Sequence, residues 1–104
     1  MHKLIVQFKS TGDPTRLETQ WSGRFVPLAE KMPGIRRVSV TRIIGGGMGA
    51  SDLHMVHEFY FDDLAALQHA MASDEGQEAG QALMAFAADS ATILLAEHLE
   101  EARR

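Results

Sequence analysis

The sequence predicts an α+β fold in which four strands and the intervening helices follow in the order β-α-β-β-α-β. The first observation is four stretches rich in β-branched and aromatic residues, of which Leu53 to Phe61 is the densest. The second is apolar residues at helical spacing before the second stretch and after the third. A chain of this order forms a ferredoxin-like plait, in which helices cover one face of a four-stranded antiparallel sheet. The predicted strands are residues 2–9, 35–44, 53–61 and 91–99.

Size and composition limit the classes of protein to which the chain can belong. Its 104 residues suffice for one core, so residues 1–104 are predicted to form a single domain. A net charge of −4 without a basic cluster argues against a nucleic acid partner, since phosphate binding needs concentrated lysine and arginine. The lack of cysteine excludes disulfides and thiolate metal sites and suits a cytoplasmic protein. We expect no signal peptide and no membrane span, because no long apolar run is present.

The first predicted helix follows a turn at residues 11–14. Asp13 is placed to cap it, and Pro14 falls at the first helical position, where proline is tolerated. Pro27 is expected to bend the helix because it lacks a backbone N–H, and Pro33-Gly34 is expected to end it. The apolar positions recur at spacings of three and four and form one stripe: Leu17, Trp21, Phe25, Leu28 and Met32.

Two further helices are predicted between the third and fourth strands. Asp62 and Asp63 are candidate caps for the first of them, and Ser73 is the candidate cap for the second, which is expected to run to about Ala87. The apolar positions of the first are Leu64, Leu67, Ala70 and Met71, and those of the second are Ala79, Leu83, Phe86 and Ala87.

The glycine-rich residues 45–51 connect the second strand to the third. A phosphate-binding loop needs a helix N-terminus directly after the glycines, and here a strand follows. The segment is therefore predicted to be a mobile hairpin connection.

The strand from Leu53 to Phe61 carries side chains on both faces, which is typical of a central strand. Its apolar face, which includes His57, is expected to lie under the helices. The other face is expected to remain open and to be more apolar than an ordinary surface. Such a patch indicates a protein contact, so we predict a homodimer that pairs through the open sheet face. The predicted open face comprises Ile5, Gln7, His54, Val56, Glu58 and Tyr60.

Four segments of the sequence, in order, resemble the EthD family, named for ethyl tert-butyl ether degradation. They are residues 25–31 (FVPLAEK), 32–37 (MPGIRR), 54–62 (HMVHEFYFD) and 71–77 (MASDEGQ). The resemblance implies a dimeric α+β barrel, a fold shared with cofactor-independent quinone-forming monooxygenases and chlorite dismutase-like haem proteins. The chain departs from the family at Phe25, where a histidine is typical, and at His57, where alanine is more usual. The two departures suggest that the imidazole usual at position 25 is replaced by one at position 57, across the same pocket.

Three ionisable residues of the third strand are candidate catalytic groups. His54 and Glu58 lie four residues apart, so they are expected to share a face and could form an acid/base pair or a structural pair in the dimer interface. His57 could be a base in an apolar pocket or a packed core histidine. The residues expected to line a substrate pocket are Trp21, Phe25, Leu28, Phe59, Leu83 and Phe86.

The five histidines show no metal-binding spacing, and no pattern singles out an axial haem ligand, so neither a metal nor another cofactor is predicted. The sequence favours a protein that binds a small apolar or aromatic molecule. If it is an enzyme, the expected reaction is cofactor-independent oxidation or proton transfer, as in an oxidoreductase of the monooxygenase type. The alternatives are a non-catalytic ligand-binding or accessory protein of a degradation pathway, with structural histidines, and a haem-binding barrel.

Overall fold

The structure is a computed structural model that describes residues 1–103. Four strands form one antiparallel sheet in the order β2-β3-β1-β4, which confirms the predicted α+β ferredoxin-like fold and the inner position of β3. The strands are β1 (His2–Lys9), β2 (Arg37–Arg42), β3 (Leu53–Phe61) and β4 (Ala91–Glu97).

The strands β2 and β4 are shorter than predicted. The last paired residue of β2 is Arg42, opposite Met55, and beyond it the N–H of Ile43 donates to the carbonyl of His54 before the glycine-rich connection begins. In the same way β4 ends at Glu97, which pairs with His2 at the start of β1. An edge strand extends only as far as its neighbour can accept its backbone hydrogen bonds.

The first helical segment is interrupted by a π-helical turn. It consists of α1 (Pro14–Gln20), a π segment (Trp21–Phe25) and α2 (Val26–Ala29). Within the π segment, the N–H of Val26 donates to the carbonyl of Trp21, five residues back. Pro27 follows directly and has no N–H for the carbonyl four residues before it, so the wider turn lies where the regular helix would lose a hydrogen bond.

The π segment shifts the apolar stripe of this helix by one residue. Trp21 and Phe25 are buried as predicted, but the next buried position is Ala29, and Leu28 is only half-buried. Regular helical periodicity predicts Leu28 on the buried stripe, and the extra residue in the π turn moves that position to Ala29. The helix also ends earlier than expected, at Ala29, and turns lead to Gly34, whose φ of 84° favours glycine.

The second helical segment consists of α3 (Leu64–Ala72) and α4 (Asp74–Ala87). Asp63 caps α3 by accepting a hydrogen bond from the N–H of Ala66 at 2.8 Å, and Ser73 caps α4 by accepting from the N–H of Gly76 at 3.1 Å. Both caps agree with the sequence prediction. The buried residues of the two helices are Leu67, Ala70, Ala79, Leu83 and Ala87, whereas Leu64 is exposed and Phe86 half-buried.

The core lies between the helices and one face of the sheet. Phe8, Met55, Phe59 and Phe61 are fully buried there. The edge strand β4 is poorly covered, since Ile93, Leu94 and Leu95 are each more than 40% exposed although they alternate between the two faces. No helix within residues 1–103 has the length and apolar character needed to cross a membrane.

The open face of the sheet differs from the prediction at Tyr60. Its ring is only 5% exposed, because the guanidinium of Arg37 lies 4.1 Å from the ring centroid and the imidazole of His98 packs edge-on at 4.8 Å. Ile5 and Val56 are half-buried on this face.

Candidate functional site

His57 lies on the helix-facing side of β3 and is 1% exposed. Its ring packs against three aromatic rings: Trp21 edge-on at 5.4 Å between centroids, Phe25 edge-on at 5.8 Å and Phe59 tilted at 4.2 Å. Phe25 therefore touches the imidazole that β3 contributes. Phe25 and His57, the two positions at which the resemblance predicts departures from the family, are therefore in direct contact.

The hydrogen bond to His57 assigns its tautomer. Trp21 donates its indole Nε1–H to Nδ1 of His57 at 3.1 Å, so Nδ1 is the acceptor and the neutral ring carries its proton on Nε2. Burial lowers the pKa of His57 to about 4. At neutral pH this histidine is uncharged and packed within an aromatic cluster. Four cavities are present among residues 1–103, and the side chain of His57 lines none of them.

A β-bulge redirects His54 away from the face on which it was predicted. Phe8 pairs with Met55 but Lys9 pairs with Leu53, so His54 is the extra residue of β3. Bulges change the direction of a side chain. His54 turns toward the helices, where its Nε2 lies 3.0 Å from Oε2 of Glu18 in α1.

The predicted pairing of His54 with Glu58 is therefore wrong. Glu58 stays on the open face, where it forms an ion pair with Lys3 of β1, and hydrogen bonding to Glu58 raises the pKa of Lys3. The simple alternation along β3 that would place His54 and Glu58 together fails at the bulge.

Three side chains from three elements form a polar cluster, which we define as Glu18, Arg42 and His54. Arg42 places Nε at 2.9 Å and Nη2 at 2.8 Å from Oε1 of Glu18, while His54 contacts Oε2. The hydrogen bond from Arg42 is the largest cause of the lowered pKa of Glu18, and the hydrogen bond from His54 acts in the same direction. The carboxylate therefore remains ionised at neutral pH.

The polar cluster borders a groove of about 420 Å³ on the helix side of the molecule. Glu18, Trp21 and Arg42 line it, together with Pro14 and the hydroxyl-bearing residues Thr15, Thr19 and Ser22. The sequence pattern does not predict Glu18 or Arg42 as site residues, because only the bulge and the packing of α1 bring them to His54. Within residues 1–103, no group of three or more histidine, aspartate or glutamate side chains is arranged to hold a metal ion.

A separate apolar pocket of about 70 Å³ lies between the helices and strands β1 and β4. Its wall includes Phe25, Leu83 and Ile93, two methionines, Met32 and Met71, and two glycines, Gly76 and Gly80. Phe25 thus has one contact with His57 and another with this pocket.

The structure distributes the predicted pocket residues over several places. Phe25 and Leu83 line the apolar pocket, and Trp21 lines the groove beside the polar cluster. Phe59 is fully buried in the core. Leu28 and Phe86 are half-buried and pack against the outside of the core, where Phe86 borders two further surface grooves.

The fold and the candidate site define the chain as an α+β protein of the ferredoxin-like class with an apolar pocket on the helix side of its sheet. The EthD domain model matches residues 9–92. The crystal structure of an EthD family protein from Bacillus halodurans is 36% identical in sequence, covers 95% of this chain and 99% of its own, and has a TM-score of 0.89. The chain belongs to the EthD family.

Two more distant structures share the fold. A dimeric protein of unknown function with a ferredoxin-like fold from Bacteroides fragilis is 20% identical, covers 93% of this chain and 95% of its own, and has a TM-score of 0.63. SnoaB, a cofactor-independent oxygenase from Streptomyces nogalater, is 19% identical, covers 96% of this chain and 94% of its own, and has a TM-score of 0.66. These two similarities concern the fold alone.

Proposed function

We propose that this EthD family protein binds a small, largely apolar organic molecule in the apolar pocket between the helices and the sheet. The observation that carries the proposal is a pocket wall built from aliphatic, aromatic and methionine side chains. Binding sites for small molecules are concave and mostly apolar. Met32 and Met71 suit such a wall because the flexible thioether side chain adapts to the shape of a ligand.

Gly80 supports the proposal because neither helix formation nor packing requires a glycine at this position. It lies in the interior of α4, where glycine costs roughly 0.5–1 kcal/mol relative to alanine. A methyl group at Gly80 would meet no atom within 4 Å, so packing does not require glycine there. Gly76 differs, since a methyl group there would collide with the carbonyl oxygen of Ala70 in α3. The missing side chain at Gly80 leaves space that belongs to the pocket.

The proposal includes a homodimer that pairs through the open sheet face. Ile5 and Val56 present apolar surface there, and Leu94 of β4, which pairs with Ile5, is 42% exposed. The protein of the same fold from Bacteroides fragilis is dimeric, which supports a dimer for this chain. Sedimentation equilibrium of the wild type and of Val56→Lys tests it, and Gln68→Lys, at an exposed position of α3 on the helix side of the sheet, is the control. A wild-type monomer at micromolar concentration would contradict the dimer.

A second candidate function is a cofactor-independent oxidoreductase reaction on an aromatic compound, with His57, His54 or Glu58 moving a proton. It is favoured by two neighbours of His57 that also line the apolar pocket, namely Phe25, whose ring packs against the imidazole, and Val6, its partner in β1. The test is to incubate an identified ligand with the protein in air and to follow its conversion by mass spectrometry. Equal conversion by the wild type and by the double variant His57→Asn/Glu58→Gln would exclude a catalytic role of these two residues, and equal conversion by His54→Asn would exclude His54.

Nuclear magnetic resonance of methionine methyl groups tests the binding proposal. With ¹³C-methyl methionine, xenon added under pressure is expected to shift Met32 and Met71, which line the pocket, and to leave the exposed Met48 unchanged. The variant Gly80→Leu fills the pocket and should abolish the shifts, whereas Gln81→Leu, on the exposed side of the same helix, should preserve them. Xenon shifts that persist in Gly80→Leu would refute the assignment of this pocket.

A further inference from the structure

Two backbone irregularities meet at the polar cluster. The π segment begins at Trp21, whose ring centroid lies 5.8 Å from the guanidinium carbon of Arg42. The β-bulge of β3 turns His54 to Glu18. π-Helical turns and bulges both occur preferentially beside functional sites, and each departs from the regular hydrogen-bonding pattern of its element. The same small region therefore contains two irregular backbone features and a cluster of charged side chains.

We propose that the groove beside the polar cluster binds a planar aromatic molecule whose edge carries an N–H donor next to a carbonyl acceptor, as an aromatic carboxamide does. The inference goes beyond the proposed function, because the residues lining this groove and those lining the apolar pocket do not overlap. It assigns a second binding site to the chain.

The hydrogen-bonding capacity of the cluster specifies the edge of the ligand. A carboxylate accepts about four hydrogen bonds, and Oε1 of Glu18 accepts one from Nε of Arg42 and forms an ion pair with its Nη2, while Oε2 is hydrogen-bonded to His54. One acceptor position remains on Oε2 and suits an N–H of the ligand. Arg42 has five N–H donors, of which the contacts to Glu18 engage two, so the others suit a carbonyl oxygen beside that N–H.

The surroundings of the cluster specify the rest of the ligand. Arg42 lies over the largely buried ring of Trp21 and is itself half-exposed to the groove, so a flat ligand ring can pack on its guanidinium by cation–π contact. The charges of Glu18 and Arg42 offset each other, which suits an uncharged ligand. At the rim, the hydroxyl of Thr19 donates to the carbonyl of Thr15, which leaves its oxygen free to accept.

Titration with benzamide, observed by nuclear magnetic resonance, tests the second site. The chain contains one tryptophan, so the indole N–H of Trp21 gives a single assigned signal beside the groove. Benzamide is expected to shift this signal and that of the Arg42 Nε–H, and to leave the methyl signals of Met32 and Met71 in place. Shifts of the two methionines without shifts of Trp21 and Arg42 would place benzamide in the apolar pocket and overturn the inference.

Matched ligands and variants complete the test. Because N,N-dimethylbenzamide has no N–H donor, it should bind at least about tenfold more weakly, the effect expected for losing a hydrogen bond to a charged group. Glu18→Gln and Arg42→Met should each weaken benzamide binding by a similar factor, while Glu78→Gln, an exposed carboxylate of α4, should not. Thermal unfolding of each variant checks that it is folded. Equal affinity of the wild type and both cluster variants, or of the two ligands, would refute the inference.

Discussion

The burial of His57 makes the stability of the protein depend on pH in a defined window. Burial lowers the pKa of this imidazole from its ordinary 6.5 to about 4 in the folded protein. Between these values the unfolded chain binds a proton that the folded protein does not bind. The free energy of unfolding therefore falls as the pH falls from about 6.5 to about 4, and the full contribution of His57 is present only above that window.

The magnitude follows from the difference between the two pKa values. Each unit of pKa corresponds to about 1.4 kcal/mol, so the complete effect is about 3 kcal/mol. From about pH 7 to about pH 5 the linkage relation gives about 2 kcal/mol of lost stability. The ion pairs of three carboxylates also depend on pH, but at lower values. The pKa values of Glu18, Asp62 and Glu100 lie below those of ordinary carboxyl groups, so these residues lose their charge only below this interval.

Urea denaturation followed by circular dichroism across this interval measures the effect. His57→Phe keeps an aromatic ring in the cluster but removes the titrating group, so its unfolding free energy should lose the 2 kcal/mol component between about pH 7 and about pH 5. His69→Asn, at an exposed position of α3, is the control and should keep the wild-type dependence. If His57→Phe shows the same pH dependence as the wild type, the histidine is not buried in its neutral form as described.

Three further predictions concern stability and are measured by thermal or urea unfolding. Trp21→Phe leaves Nδ1 of His57 buried without its donor and should cost about 1–3 kcal/mol, whereas an unchanged stability would mean that this hydrogen bond is not formed. Ser73→Ala removes the cap of α4 and should cost about 1 kcal/mol, and Ser10→Ala, at an exposed position after β1, serves as its control. Gly80→Ala should increase stability by up to about 1 kcal/mol, and a decrease would show that the space beside Gly80 is filled.

The fold could be predicted because most of its determinants are local. The alternation of β3 placed Met55, His57 and Phe59 on the helix side, where the structure has them buried. Capping is equally local, since Asp63 and Ser73 each bond to an N–H three residues ahead. Periodicity and capping chemistry are visible in a single sequence, and they fixed the order of the elements.

The errors occurred where a regular period is interrupted. Nothing in the sequence of β3 marks His54 as a bulge, because the register shift depends on how the strand pairs with Lys9 of β1. Likewise Pro27 indicated a disturbed helix but not its form, and the π segment moved the buried position from Leu28 to Ala29. Since the bulge sets the partner of His54, the polar cluster could not be found from the sequence.

The size of the candidate pocket also depends on tertiary packing. The apolar residues at helical spacing predicted an inward-facing stripe, but they did not show which of them pack tightly. Phe59 is fully buried in the core, while Leu83 faces the apolar pocket. The difference arises from the missing side chain at Gly80 and from the poor cover that the helices give to β4, neither of which is a periodic feature of the sequence.

The most direct test of the account is a crystal structure determined under xenon pressure, since xenon enters apolar cavities and leaves polar ones empty. The account predicts a xenon atom enclosed by Phe25, Leu83 and Ile93, with no displacement of the His57 ring from Nε1 of Trp21. A structure with no xenon at that position, or with the atom bound directly against His57, would contradict the proposal that the ligand occupies the apolar pocket and leaves the ring of His57 covered by Phe25.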